Sequence, residues 1–349
     1  MRRLSSALLV ILLAAVPAAS EVLTADALGP HTVRYTYEAR VTPPAGTRLL
    51  EMWLPLPRED DQQVRDLGLT GSAPLTTVRL GSGDRAAYLR VTDPKGPLIV
   101  TQTATVARRE VRVPVGTSEA RLADVDATVY TAELASTPVI VVNDEVRRIA
   151  REETAKKATV VAKARALYDW VFDHMQYDKS VPGWGLGDIP YCLKVGKGNC
   201  TDFHSLFIAL ARTSGIPARW NIGFPLAYGD GRANATPQQV PGYHCWAEFY
   251  APGAGWVPVD ISEARKHPEL KDYFFGNLSG NRVLMTRGRD LLLEPDGTGR
   301  RLNYFAYPIA RADGLDVAGV EWTFRYTELG PSPEQAGSPQ MRRGREPLG

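Results

Sequence analysis

A thiol, an imidazole and a carboxylate stand in chain order at Cys200, His244 and Asp260, and their neighbours indicate how each is presented. Cys200 follows Gly198 and Asn199 and opens a run in which Phe203, Leu206, Phe207, Leu210 and Ala211 recur at helical spacing, ending at Gly215-Ile216-Pro217. Asn199 suits the N-cap, and Asp202 falls in the first turn, where a carboxylate is favoured. A cysteine in that turn lies beside the partial positive charge of the helix N-terminus, which favours thiolate over thiol. Residues 243–250 alternate as a strand, with His244, Trp246, Glu248 and Tyr250 on one face and Cys245, Ala247 and Phe249 on the other. A turn at 251–255 leads to a second short strand at 256–260. If the two pair antiparallel with Tyr250 opposite Trp256, His244 and Asp260 share a face one diagonal step apart, whereas a one-residue slip separates them. A set so arranged runs acyl transfer. The imidazole takes the thiol proton, sulfur attacks an amide or ester carbonyl, and the imidazolium protonates the leaving group while the carboxylate holds its tautomer. Water or an amine then resolves the thioester.

Other residues near these three carry weaker signals. His204 lies four residues after Cys200 on nearly the same helix face, so it is a candidate for the cleft, although a satisfied core histidine is the plainer reading. Trp246 is a second cleft candidate, and Trp246, Glu248 and Trp256 read more simply as packing residues. An oxyanion hole needs a donor besides the Cys200 backbone N–H, and Tyr177 and Trp184, ahead of Cys200, are the candidates by position and donor chemistry. Asp188, Arg212 and Arg219 read as structural. Cys192, Cys200, His204, His244 and Cys245 contain the ligand types of a zinc site. No Cys-x-x-Cys pair is present, however, and alternation turns Cys245 away from His244, so neither a metal nor a cofactor is expected. Three cysteines are an odd number. With Cys200 free to act, Cys192 and Cys245 remain as a pair able in principle to bridge.

The elements that must position these groups follow a change of period along the chain. Residues 31–137 run in short alternating stretches broken by Pro, Gly and Asp, which predicts a β-sandwich-like domain over 21–138. After Pro138 the period becomes helical. A helix is expected from Asp144 to about Glu153, and another carries Val160, Val161, Ala164, Leu167, Tyr168, Val171 and Phe172. A Gly-rich loop at 181–198 leads to the Cys200 helix, after which strands return. The catalytic unit is taken as 139–329, so the whole reads as an α+β protein. Residues 330–349, rich in Pro, Gly, Ser and Arg, are expected to form a disordered tail.

Residues 1–20 read as a cleaved secretory signal. Arg2 and Arg3 precede an apolar run over 7–19 that is too short to span a bilayer, and small residues favour removal after Ser20. A secreted or periplasmic protein is expected, with no later segment apolar enough to cross a membrane. Removal takes two of the 41 cationic side chains and leaves them matched with the 39 acidic ones. A chain so balanced lacks the basic footprint of a nucleic-acid binder. Nothing in the sequence indicates an oligomeric state.

Gly198-Asn199-Cys200 opening a helix that ends in Gly215-Ile216-Pro217-Ala218-Arg219, then Gly242-Tyr243-His244-Cys245-Trp246-Ala247-Glu248, then Gly255-Trp256-Val257-Pro258-Val259-Asp260, resembles the transglutaminase-like superfamily. The resemblance covers about residues 140–265. It implies a papain-like core, with Cys200 as nucleophile, His244 as base and Asp260 as orienting acid, acting on amide bonds of a peptide or protein substrate. Members include crosslinkers, deamidases, peptidases, amidases and proteins without catalysis, so a silent module that binds a cell-envelope or protein partner is the alternative. No acidic loop has calcium-ligand spacing. Hydrolysis is favoured over transamidation, because no motif reports the closed acceptor site that excluding water demands.

Overall fold

A computed structural model of the protein describes residues 23, 25–295, 299–330 and 340–341. The signal segment lies outside the described residues, as does the tail apart from Gly330 and the strand pair Gln340–Met341, which runs parallel to Val111–Arg112.

Strict alternation builds the sandwich. In His31–Val41 the side chains of Val33, Tyr35, Tyr37, Ala39 and Val41 are buried, and in Leu98–Arg108 those of Leu98, Val100, Gln102, Ala104 and Val106 are. These two strands pair antiparallel along their full length. Their sheet has the order Asn234–Val240, Glu321–Glu328, His31–Val41, Leu98–Arg108, Gln62–Gly71. A second five-stranded sheet runs Leu315–Asp316, Ile309–Ala312, Leu49–Pro55, Arg85–Thr92, Leu75–Arg79. Met52, Leu54 and Leu89 of this sheet share one apolar cluster with Tyr35, Tyr37 and Val100 of the first.

The domain division drawn from the sequence is therefore too simple. Residues 309–312, 315–316 and 321–328 complete the sandwich rather than the catalytic unit, as does the excursion at 234–240. Local alternation cannot report such a partner, because pairing between His31–Val41 and Glu321–Glu328 spans almost the whole chain. The two halves also share a core. Phe224, at the end of Ala218–Pro225, stacks on Phe324 at 4.2 Å between ring centroids and meets Tyr37 edge-on at 5.1 Å.

The other half is a four-stranded antiparallel sheet, ordered Gly255–Val259, His244–Ala251, Ala218–Pro225, Arg282–Arg287, with helices packed against it. Asp144–Thr154 is capped by Asn143, which accepts from Val146 N at 2.9 Å, and Val160–His174 by Thr159, which accepts from Ala162 N at 3.1 Å. The expected loop before Cys200 contains a short helix, Ile189–Val195, with Asp188 as its N-cap. The helix Cys200–Thr213 was expected to bury one stripe, yet every residue from Cys200 to Ala211 is buried. It runs through the middle of this half, with the sheet on one side and Asp144–Thr154 and Val160–His174 on others, so Thr201, Asp202, His204 and Ser205 are enclosed as well. Phe207 meets Phe249 of the sheet edge-on at 6.4 Å. Truncating Phe207 to Ala leaves a void beneath the sheet, and the expected loss is about 3–5 kcal/mol, read from the denaturant midpoint of the variant against the parent.

Candidate active site

The N-terminus of Cys200–Thr213 is closed by a reciprocal cap. Asn199 Oδ1 accepts from Thr201 N at 2.8 Å, and Asp202 Oδ2 accepts from Asn199 N at 2.9 Å. The same carboxylate also takes the N–H groups of Gly185 at 2.7 Å and Gly187 at 2.9 Å, fastening the preceding loop to this turn. A Cβ on Gly198 would overlap the Asp202 carboxylate, so glycine is required there. Cys200 is thereby held, buried, at the first helical position.

The sheet supplies the other two groups in the register that joins them, with Tyr250 opposite Trp256 and Ala247 opposite Val259. His244 begins its strand, and Asp260 follows the neighbouring strand as N-cap of Ile261–Lys266. His244 Nε2 lies 2.8 Å from Asp260 Oδ2. With Nε2 turned to Asp260, Nδ1 is the ring nitrogen left for Cys200, the neighbour with which His244 shifts protonation in common. Asp260 also accepts from Arg282 NH1 at 2.8 Å, from Ser262 Oγ at 3.2 Å and from Glu263 N at 3.1 Å.

These contacts set the protonation states. Burial raises the pKa of the Cys200 thiol, but the Cys245 and His244 side chains outweigh it and hold the thiol well below its ordinary value. Burial works against the His244 cation, while the charge of Asp260 and its hydrogen bond raise the imidazole to about 9. Asp260 is buried too, yet His244 and Arg282 keep its carboxyl well below the usual range. Both shifts run in the direction of a thiolate beside an imidazolium.

Both cleft candidates are enclosed instead. His204 is fully buried, with Nε2 accepting from Ile261 N at 3.1 Å and Nδ1 3.7 Å from Cys245 Sγ. Burial lowers its pKa to about 4 against the opposing charges of Asp260 and Cys200, so it is neutral. Trp246 lies buried between the guanidinium groups of Arg108, 5.5 Å from its ring, and Arg282, 4.9 Å from it. Glu248 pairs with Arg219 at 2.6 Å, and Arg219 covers the Trp256 ring at 3.9 Å, so these too are packing residues. Tyr177 is half-buried near the Cys200 sulfur, whose charge adds to burial in raising the phenol to about 12. Trp184 is 39% exposed, with the Lys179 ammonium 5.2 Å from its ring.

Cys245 corrects the sequence reading. It lies on the strand face opposite His244, as alternation requires, but that face packs on the Cys200 helix, where Cys245 Sγ stands 3.7 Å from His204 Nδ1. The helix packs on the Cys245 face, and its first residue comes level with the start of the strand. All three cysteines are free, so Cys192 and Cys245 do not bridge. Among the described residues, no three His, Cys, Asp or Glu side chains group as metal ligands, and no helix is long and apolar enough to cross a membrane.

Sequence reasoning missed Arg282, Tyr243 and Glu263. Tyr243 OH receives a hydrogen bond from Asn199 Nδ2 at 3.0 Å and lies 2.5 Å from Thr201 Oγ1. Glu263 is buried with Tyr228 OH at 2.7 Å and Lys266 Nζ at 2.6 Å. Tyr243 adjoins His244 in sequence, a signal that could have drawn attention to it. Arg282 begins a distant strand, and nothing local marks it.

This helix-borne thiol over a sheet-borne imidazole and carboxylate defines a papain-like α/β core, and the comparisons agree. Residues 147–261 match the model of the transglutaminase-like superfamily. An uncharacterized protein of Haemophilus influenzae is 31% identical over 320 residues, covering 81% of this chain and 86% of that protein. The chain belongs to the transglutaminase-like superfamily. YebA of Bacillus subtilis is 35% identical over 75 residues, which are 20% of this chain and 10% of YebA. The crystal structure of a candidate cysteine protease from Cytophaga hutchinsonii shares the fold, with a TM-score of 0.54 and 18% identity, covering 85% of this chain and 98% of that one.

The raised pKa of His244 has a sign that can be checked. A folded-state value of about 9 against an ordinary 6.5 means that the imidazolium stabilises the fold fully below pH 6.5 and loses that contribution as pH rises through 9. An NMR titration of the His244 ring is expected to give a midpoint near 9, and Asp260→Asn is expected to bring it down to 6.5 or below. A midpoint unmoved by Asp260→Asn would mean that the carboxylate is not its cause.

Proposed function

We propose that the protein is a thiol-dependent acyl-transfer enzyme that cleaves amide bonds of a peptide or protein substrate outside the cytoplasm. The observation that carries this reading is the placement of a buried thiol at a helix start together with an imidazole held at 2.8 Å by a buried carboxylate. The Cys200 thiolate attacks the amide carbonyl, and the C–N bond breaks as the His244 imidazolium gives its proton to the departing amine. The neutral imidazole then takes a proton from water, whose oxygen attacks the thioester and releases the acid and the thiolate. Asp260 keeps the ring oriented and stabilises its cation throughout. The backbone N–H of Cys200 is one oxyanion donor. Tyr177 is the better second candidate, since it stands near the sulfur while Trp184 lies out on the loop. Export rests on the signal-like residues 1–20. Hydrolysis is favoured over transamidation for want of a recognisable acceptor site.

An iodoacetamide probe tests the reading. Cys200 is expected to be alkylated faster at neutral pH than a free thiol, and His244→Ala to reduce that rate by at least about tenfold, as expected for residues that act as one unit. Labelling that is slow and indifferent to His244→Ala would overturn it. Release of ammonia or a new terminus, rather than incorporation of an added primary amine, identifies hydrolysis. Biological function retained in a Cys200→Ala strain would instead support a binding module.

A further inference from the structure

Residues 183–187 alternate three glycines with two large apolar side chains, Trp184 and Leu186. The glycines turn inward. A Cβ on Gly183 would overlap the Tyr191 ring, and one on Gly187 would overlap the Ser205 hydroxyl and the Arg289 guanidinium. At Gly185 it would stand 3.3 Å from Asn199 Nδ2 and 3.8 Å from Tyr243 OH, which places the segment beside the cap of the Cys200 helix. The main chain is fastened there by both its donors and its acceptor. The Gly185 and Gly187 N–H groups meet Asp202, and the Leu186 carbonyl accepts from Arg289 NH2 at 2.7 Å and from Asn303 Nδ2 at 2.9 Å. The two intervening side chains face out, Trp184 39% and Leu186 60% exposed.

One exposed apolar side chain carries no information. Among the described residues the others are scattered singly along the chain, at Leu67, Val129, Val141, Leu315 and Leu329. Two on one fastened segment are different, because a backbone held at 185, 186 and 187 keeps them from turning in to cover themselves. The pair also lies toward the nucleophile. The Lys179 ammonium stands 5.2 Å from the Trp184 ring and 5.8 Å from that of Tyr177, and Tyr177 pairs with Gly198, two residues before Cys200.

We propose that Trp184 and Leu186 are specificity-determining residues, an apolar wall for a side chain on the acyl side of the amide that Cys200 attacks. The proposal rests on Cys200 being the nucleophile. The acyl part of the substrate stays on the sulfur through both steps, whereas the amine leaves after the first. A wall tied through Asp202 to the Cys200 turn keeps one distance from the sulfur, so it serves the part that stays. Its occupant is apolar, because the segment offers an indole and an isobutyl surface while the Gly185 and Gly187 donors and the Leu186 acceptor are already taken. Trp184 acts here through its ring and not through its indole N–H.

The test is alkylation of Cys200 by N-acetyl-dipeptidyl chloromethyl ketones that carry Phe, Leu, Asp or Gly at one position and Gly at the other, read by peptide mass spectrometry. Each rate is divided by that of iodoacetamide on the same variant, since iodoacetamide has no side chain to recognise. In the parent, a Phe or Leu probe is expected to exceed the all-Gly probe by at least about tenfold. Trp184→Ala and Leu186→Ser are each expected to lower that preference, and the two together to bring it near unity. Trp184→Phe, which keeps an apolar ring and loses the indole N–H, is expected to retain it. Both side chains are exposed, so these substitutions leave the packed core untouched. A Trp184→Ala variant that slows every ketone alike would make Trp184 an oxyanion donor and overturn the wall. A parent preference near unity, a preference for Asp, or one that survives the double substitution would also overturn it, while fast iodoacetamide labelling still upholds Cys200. Iodoacetamide labelling that is slow and indifferent to His244→Ala would remove the nucleophile reading itself, and the wall with it.

Discussion

Asp202 is buried in the first turn of the central helix and satisfies three backbone N–H groups, two from the preceding loop and one from the cap residue. One side chain thus ties the loop before Cys200 to the turn that carries it. Burial pushes the Asp202 carboxyl upward, and the backbone donors work against that rise. Removing the carboxylate would leave three donors to be satisfied inside the protein, each at a cost of about 1–3 kcal/mol. Cys200 is therefore placed by main-chain geometry rather than by the rotamer of a surface loop, which is what a reacting atom needs.

Two imidazoles near a single carboxylate end in opposite states. His244 is raised to about 9, and His204 is lowered to about 4. Both are buried, so burial alone cannot separate them. The difference lies in the contacts. His244 makes a direct 2.8 Å bond to Asp260, whereas His204 Nε2 lies 3.7 Å from the other oxygen and is already occupied by a backbone N–H. A donor aimed at a ring nitrogen opposes its protonation, and a carboxylate aimed at it favours protonation. The site thereby has one ring that can move a proton and another that holds its hydrogen in a fixed place. Arg282 adds a permanent cation to Asp260, so the carboxylate stays charged even when His244 is neutral.

Much of this was legible in the sequence wherever the signal is local. Asn199 and Asp202 marked the cap, the apolar spacing marked the helices, and the alternation of 243–250 and 256–260 fixed a register that either joins His244 to Asp260 or parts them. What could not be read depends on distant segments. That Thr201, Asp202, His204 and Ser205 are buried follows from elements wrapped around their helix, and no stripe in the helix itself records it. Cys245 was turned away because period-two reasoning describes a sheet in isolation. It does not say where a helix packed on one face will begin. Arg282 and the closing strands at 309–328 lie farther along the chain than any periodicity reaches.

The stacking of Phe224 on Phe324 and the seat of Glu321–Glu328 beside His31–Val41 bear on the order in which the protein comes into being. A chain is delivered from its N-terminus. The first strand of the sandwich has an unpaired edge until residues 321–328 have emerged, long after Cys200 and His244. The shared core that steadies the histidine sheet is likewise incomplete until then. Contacts of such sequence separation are slow to form. The thiol is thus made early but seated late, and its working surroundings close only when almost the last described strand arrives.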